Sequence, residues 1–259
     1  MQALLDWTWR RSVAEAIALS LLANALVFAG ALAFGAAVAR AWGSRRVATE
    51  PPPLTRAEVG FAAATVALNA AVMIAGWALF RAGWLEVDGT PSGLRWVVDA
   101  AALALAMDFA MYVTHRLAHV GPIYRLVHGI HHRYEAPRPL TLFVLHPLEV
   151  LGFGGLWVAL LCAHRFSLGG MLLYLTLNTL FGTLGHVGVE PLPDGWARWP
   201  LLRRVGTSTF HARHHQRPRH NFGFYSTLWD RLFGTLDPEY EPSFARPPVG
   251  RVRRETTPR

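Results

Sequence analysis

Residues 96–119 read WVVDAAALALAMDFAMYVTHRLAH. The run from Trp96 to Thr114 is apolar and of span length, and it ends directly in His115 and His119, an HxxxH box. A helix needs about 20 predominantly apolar residues to cross a bilayer, and Trp96 is the interfacial residue at its start. His at i and i+4 share a helical face, so the span delivers two imidazoles in one direction at the membrane surface. Two HxxHH boxes follow, His128-Gly129-Ile130-His131-His132 and His211-Ala212-Arg213-His214-His215. A lone His is ordinarily a surface or satisfied core residue. Three boxes of matching spacing, holding eight of the 12 histidines, instead read as a metal centre, since neutral imidazole is the commonest metal ligand.

The composition agrees with a membrane protein: 52% of residues are apolar, 16% are charged, and mean hydropathy is +0.24. The formal charge of +8 comes from Arg alone, without any Lys. These Arg residues flank apolar runs, which assigns them to a cytoplasmic membrane face rather than to nucleic acid. An all-Arg, Ala-rich composition points to a bacterial source and so to an inner membrane. The single Cys162 excludes disulfides, Cys-ligated zinc and iron–sulfur clusters on this chain.

Outward from residue 96, two earlier spans are expected. Trp7, Trp9, Arg10 and Arg11 make an interfacial anchor before Val13–Val38. That run is far longer than the roughly 7–15 apolar residues of a signal peptide, despite an A-x-A-like Ala37-Val38-Ala39, so it is a retained span. Phe61–Phe80 is the second. The intervening linker holds Arg40, Arg45, Arg46, Arg56 and Pro51-Pro52-Pro53, whereas the 81–95 loop holds Glu86 and Asp88. The positive-inside rule puts the first inside and the second outside, releasing His115 on the cytoplasmic side, with Arg10 and Arg11 in minor conflict. Beyond box two, 140–163 and 168–185 form a hairpin turning at His164-Arg165. Its first arm has 14 uninterrupted apolar residues, Val150 to Ala163, so it either spans or re-enters. The expected fold is therefore an all-α polytopic membrane protein of four to five membrane helices, with a cytoplasmic histidine-rich metal-binding helical cap.

In this topology the three boxes, His146 and His186 share the cytoplasmic side, and His164 lies opposite and is excluded as a ligand. Eight or more imidazoles are too many for one ion, since zinc sites take four ligands at most from protein; two metals of higher coordination account for them. Imidazole suits Zn, Cu, Fe and Ni alike. Three outer residues are candidates for orienting ligands. Glu149 stands three residues after His146 on one face and could hold a ligand His through its second N–H. Asp108 is an ionisable residue inside a span, costly and hence a functional candidate, or else it pairs with an Arg or hydroxyl. His220 is assigned to the surface. Phe222, Phe224, Tyr225, Trp229 and Phe233 either line a lipid entrance or pack.

At these residues the chain resembles the fatty acid hydroxylase / sterol desaturase superfamily of membrane-bound di-iron oxygenases. The resemblance covers about residues 96–237. It rests on Asp108 and Tyr112 before HRLAH, on YRLVHGIHHRYEAP and LHPLE, and on HARHHQRPRHNFGFYSTLWDRLFGTLDP, with Asn221, Phe222, Gly223, Trp229, Asp230 and Arg231. Hydropathy alone gives an N-terminal membrane part (1–95), composition gives an Arg/Pro-rich tail expected to be disordered (238–259), and the resemblance implies a catalytic domain between them (96–237). The resemblance also implies two irons held by His115, His119, His128, His131, His132, His211, His214 and His215, joined by His186. His146, Asp108 and Glu149 would stand behind these ligands. The implied activity is O2-dependent oxidation of a lipid C–H bond, hydroxylation ahead of desaturation, on a sterol-like or fatty acyl lipid. With neither a G-x-G-x-x-G signature nor a Cys cluster, electrons must come from a ferredoxin, b-type cytochrome or reductase. The competing classes are a membrane di-zinc hydrolase or isomerase, using metal-activated water, and a non-catalytic membrane metal-binding protein.

Overall fold

A computed structural model describes residues 1–246. Its frame is a bundle of long apolar helices. A short α1 (Gln2–Trp9) is followed by α2 (Val13–Ala41), α3 (Arg56–Arg81) and α4 (Gly93–Ala118). Each long helix starts at a side-chain cap: Ser12 and Glu15 form a reciprocal capping box on α2, Thr55 and Glu58 do so on α3, and Ser92 caps α4. At 1.5 Å per residue, the 26 residues of α3 and of α4 run about 39 Å, longer than the roughly 30 Å hydrocarbon layer. After the short α5 (Gly121–Leu126) come α6 (Pro147–Ala163) and α7 (Leu168–Gly185), then α8 (Ser208–Gln216) and α9 (Leu228–Leu232) in the cap. Four of these helices, α2, α3, α4 and α7, are long and apolar enough to cross a membrane.

Of the two arms of the α6–α7 hairpin, α7 is among those four helices and α6 is shorter. The turn between them pairs with the loop after α3 as two-residue strands, β1 (Val87–Asp88) parallel to β2 (Phe166–Ser167). Asp99 of α4 accepts from the Ser167 amide at 2.7 Å and lies 3.5 Å from Arg95, which also meets Asp88 at 3.1 Å. The hairpin thus reaches the end of the bundle opposite the histidines. The same end holds α1, where Trp77 donates to the Thr8 carbonyl at 3.1 Å. The out-of-place Arg11 is offset there by Glu15 at 2.9 Å.

Helix–helix contact uses small residues, as expected where lipid removes the hydrophobic drive between helices and close packing must substitute. A Cβ at Gly169 would run into the Trp96 ring, and one at Gly154 into Val72. The buried core between α4, α6 and α7 holds Leu103, Met107, Met111, Leu161 and Tyr174. Leu22, Leu26, Val97 and Leu105 are exposed and find their proper solvent in acyl chains.

At the histidine end, the 42–55 linker is tied across the cap. Val47 donates to the Gly188 carbonyl at 3.1 Å, Arg45 reaches the Glu190 carbonyl at 2.8 Å, and Arg138 lies 3.4 Å from the buried Glu58. The tail expected to begin at 238 is packed as far as it is described: Tyr240 is fully buried and Phe244 nearly so, against Phe210 and Ala197. Those two aromatics give 238–246 an apolar anchor that its charged and Pro-rich neighbours conceal; the remainder of that tail lies outside the described residues.

The hairpin geometry has a direct test. In a Cys162→Ala background, His164→Cys and Pro91→Cys should react with a membrane-impermeant maleimide from the same side of sealed vesicles, and Glu50→Cys only from the other. Reaction of Cys at 164 from the side of position 50 would mean a re-entrant hairpin.

Candidate metal centre

All three boxes end up beside one another, but not box by box. His115, His119, His128, His132 and His214 form one cluster, and His131, His186, His211 and His215 a second; within each, one ring nitrogen per residue lies within 4.8 Å of all the others. The positions i and i+4 of a box serve one cluster and i+3 serves the other. Thus His128 and His132 go with the five-His cluster while His131 goes to the four-His one. Box three mirrors this, with His211 and His215 in the four-His cluster and His214 crossing over. His186, at the C-cap of α7, completes the second cluster. The interleaving welds the two together: the His132 and His215 rings stack at 4.7 Å.

Local structure places each box. Box one ends α4, with His119 at its C-cap. Box two is a 3-10 helix, His128–Arg133, rather than an α-helix. Box three lies in α8, capped by Thr207. Glu190, fully buried, accepts from the Thr209 amide at 2.9 Å and hydroxyl at 2.7 Å. Asp237 takes Arg213 at 2.5 Å and Arg217 at 3.1 Å. These two carboxylates hold the two ends of α8.

The hydrogen bonds fix which ring nitrogen faces inward. Nδ1–H of His115 donates to the Phe222 carbonyl at 2.8 Å, His214 to His220 at 2.7 Å, His186 to Gly182 at 2.7 Å and His131 to Val144 at 3.2 Å. A carbonyl only accepts, so each of these neutral rings carries its proton on Nδ1 and leaves a bare lone pair on Nε2. The Nε2 atoms then meet one another. His115–His128, His128–His132 and His132–His214 are 3.1, 3.1 and 3.0 Å apart. In the second cluster, His131–His186, His186–His211 and His211–His215 are 3.3, 3.0 and 3.1 Å apart. Bare lone pairs at this range repel, with no proton to share between His115 and an Nδ1-protonated His128, or between His131 and His186. A cation reverses the sign. Nitrogens about 2.1 Å from a first-row ion sit about 3.0 Å apart at right angles and about 3.4 Å apart at the tetrahedral angle, so the donor set fits two metal ions.

Burial supports the neutral form. Loss of water pushes the imidazole of His128 down to about 3 and that of His186 to about 4, and holds His131, His132, His211, His214 and His215 well below the ordinary range. These rings are unprotonated at neutral pH and ready to bind metal. His119 is the exception in contact: its ring centroid lies 4.7 Å from those of His128 and His132, yet its Nε2 is buried without a partner.

The outer residues divide differently from the sequence expectation. Glu149 does hold an imidazole, taking Nδ1 of His128 at 2.5 Å. His146 does not join: it is the N-cap of α6, its Nδ1 accepting from the Leu148 amide at 3.2 Å. The i, i+3 relation to Glu149 failed because the helix begins between them, at Pro147. Asp108 touches none of the clustered rings. It is a clamp, accepting from the Tyr225 amide at 2.9 Å, the Ser226 hydroxyl at 2.5 Å and the Trp229 indole at 3.0 Å. His164 is exposed at the far turn, and His220 contributes its carbonyl rather than its ring.

Several contributors had no side-chain signal. The carbonyls of Phe222, His220, Val144 and Gly182 are backbone. The Phe222 carbonyl is positioned by Asp230, which takes the Phe222 and Gly223 amides at 2.9 and 2.7 Å. Asn221, at φ 61°, turns the chain there and bonds the Phe210 carbonyl at 3.0 Å and the Asp237 amide at 2.8 Å. Asn is one of the few residues that tolerates this left-handed conformation.

The fatty acid hydroxylase family model matches residues 100–235, more than half of the chain. A cholesterol 25-hydroxylase-like protein of Danio rerio is 35% identical over 150 residues, covering 56% of this chain and 58% of that protein. The C-4 methylsterol oxidase of Schizosaccharomyces pombe is 34% identical over 140 residues, 52% of this chain and 45% of the other. A very-long-chain aldehyde decarbonylase of Oryza sativa is 34% identical over 152 residues, 54% and 25%. The chain thus spans about half the length of the first two relatives and a quarter of the third. No solved structure matches it.

Separate clusters predict separable loss. His115→Ala or His211→Ala should each lower bound metal from about two to about one per chain by mass spectrometry of the purified protein, and His146→Ala should leave it unchanged. Glu149→Ala should weaken one of the two metals by about 10–100-fold.

Proposed function

The chain belongs to the fatty acid hydroxylase family, and on that premise we propose that it is a membrane-bound non-haem di-iron oxidoreductase. It oxidises a C–H bond of a sterol-like or fatty acyl lipid with O2, by hydroxylation or by desaturation. The observation that carries this is the pair of interleaved all-histidine clusters with inward bare Nε2 atoms. All nine histidines named from sequence stand in those clusters, and we assign them as the ligands. Iron bound there supplies O2 activation and hydrogen removal from unactivated carbon, using two electrons from outside.

The chain's own residues do the rest. Neutral imidazoles hold a divalent ion without first losing protons. Nδ1–H bonds to carbonyls and to Glu149 fix the orientation of five of the rings, His115, His128, His131, His186 and His214, and raise their basicity. The clusters are set at the membrane end of α4, within reach of a lipid, and α8 with the 217–237 segment covers them from water. Lipid as substrate is supported by the membrane helices and by the relatives' names, a cholesterol 25-hydroxylase-like protein and a methylsterol oxidase among them.

Electrons come from a separate ferredoxin, b-type cytochrome or reductase. Arg40, Arg45, Arg46, Arg56, Arg133 and Arg138 lie at the histidine end. They support a cytoplasmic metal site by the positive-inside rule and give an acidic donor a basic surface to approach. A bacterial inner membrane is supported by the all-Arg, Ala-rich composition; the relatives are eukaryotic.

Lipid mass spectrometry of the native host with and without this chain, under 18O2, tests the proposal. Hydroxylation should add one 18O atom to one lipid class, and desaturation should remove two hydrogens. Alanine at His128 and His215 together should abolish either product. Purified protein that holds zinc alone and turns over without O2 would overturn the oxygenase assignment.

A further inference from the structure

α4 carries exposed apolar side chains at four-residue spacing, Leu105, Phe109, Val113 and Leu117, and the row continues beyond the helix as Val120 and Ile123. On a helix long enough to span, such a stripe faces lipid. Phe109, Val113, Leu117 and Val120 are also one wall of a cavity of about 530 Å³, whose opposite wall includes Phe222 and Phe233. On that side Leu228, Leu232 and Phe233 are exposed in turn, and the Trp229 ring packs 4.7 Å from Phe109. α9 therefore lies beside the membrane part of α4, and the cavity opens between two apolar surfaces onto hydrocarbon. Among the clustered imidazoles only His119 lines it, with its Nε2 unpartnered. What fills the cavity meets the five-His cluster.

The cavity is polarised along its length. Phe109 and His119 are ten residues apart, about 15 Å of helix. Phe109 and Val113 make one end apolar. Arg116, Tyr124 and Arg219 gather at the His119 end. Arg116 donates to the Tyr112 hydroxyl at 3.2 Å, which shares a hydrogen with Thr235 at 3.0 Å.

We propose that this cavity binds an amphiphilic lipid with its oxygen-bearing head at Arg116 and Tyr124, whose ring lies 5.2 Å from that of His119, and its apolar body along α4 toward Phe109. The carbon presented at His119 then lies within a few bonds of the head and not at the tail end. The binding orientation follows from the wall chemistry: a hydroxyl or carboxylate placed among Phe109 and Val113 would lose its hydrogen bonds to water and gain none. The consequence for which carbon is oxidised rests on the oxygenase assignment above.

Photo-crosslinking tests the orientation without turnover. The full-length chain in lipid nanodiscs, under argon and without reductant, is given two pairs of probes. One is stearic acid with a diazirine beside the carboxylate or at the chain end; the other is a 3β-hydroxysterol with a diazirine beside the hydroxyl or at the end of the side chain. In at least one pair, the head-proximal probe should attach within residues 116–124 or 218–222 and the tail-end probe within 105–113 or 228–233. Arg116→Gln removes a charge-assisted donor and should lower head-proximal labelling about tenfold, with metal content unchanged. Val113→Trp fills the apolar end and should abolish tail-end labelling. A reversed pattern, equal labelling of one segment by both ends, or no cavity labelling by either pair would overturn the orientation. Attachment is independent of product, so correct labelling without 18O incorporation counts against the oxygenase assignment alone.

Discussion

Imidazole nitrogens facing one another at about hydrogen-bond distance, with their protons committed elsewhere, are the constraint on which the structure turns. Where both rings commit their proton on Nδ1, as at His115–His128 (3.1 Å) and His131–His186 (3.3 Å), the contact is repulsive, and burial denies it water. These contacts persist because their rings are held from behind. Carbonyls at the ends of α7, in the 140–144 turn and in the 220–222 turn take the Nδ1 protons, and Glu149 takes that of His128. The architecture outside the clusters can be understood as what is needed to bring those acceptors into place.

The tail segment after box three shows how far this reaches. Asp108, inside the membrane helix α4, gathers the Tyr225 amide, the Ser226 hydroxyl and the Trp229 indole. Asp230 gathers the Phe222 and Gly223 amides and the Thr235 hydroxyl. Two buried carboxylates thus shape one loop, and its product is a single carbonyl, that of Phe222, aimed at His115. The same loop brings α9 down beside α4 and forms the second wall of the lipid-facing cavity. The orientation of His115 and one wall of the cavity are therefore built by one segment.

Much of this was legible from residue pattern. The spans at α2, α3 and α4 followed from apolar length and Arg flanks, and the exclusion of His164 followed from which side of the bundle it had to occupy. Glu149 was found by charge and position, although the ring it holds belongs to box two and not to its neighbour His146. Asp108 was noticed for the right reason, an acid within a span, but its partners lie more than 115 residues away, where spacing carries no information. Tyr240 and Phe244 were hidden in a segment whose average composition is that of a loose tail.

By itself, the sequence determined that imidazoles in three boxes would share one membrane face and that they were too many for one ion, because apolar periodicity and ligand spacing are local properties. Only the tertiary structure decided how they divide. Box two is a tight 3-10 turn packed against α8, so i and i+4 of each HxxHH box serve one cluster and i+3 the other. That partition depends on the angle at which two distant segments meet, and on backbone carbonyls that no side chain announces.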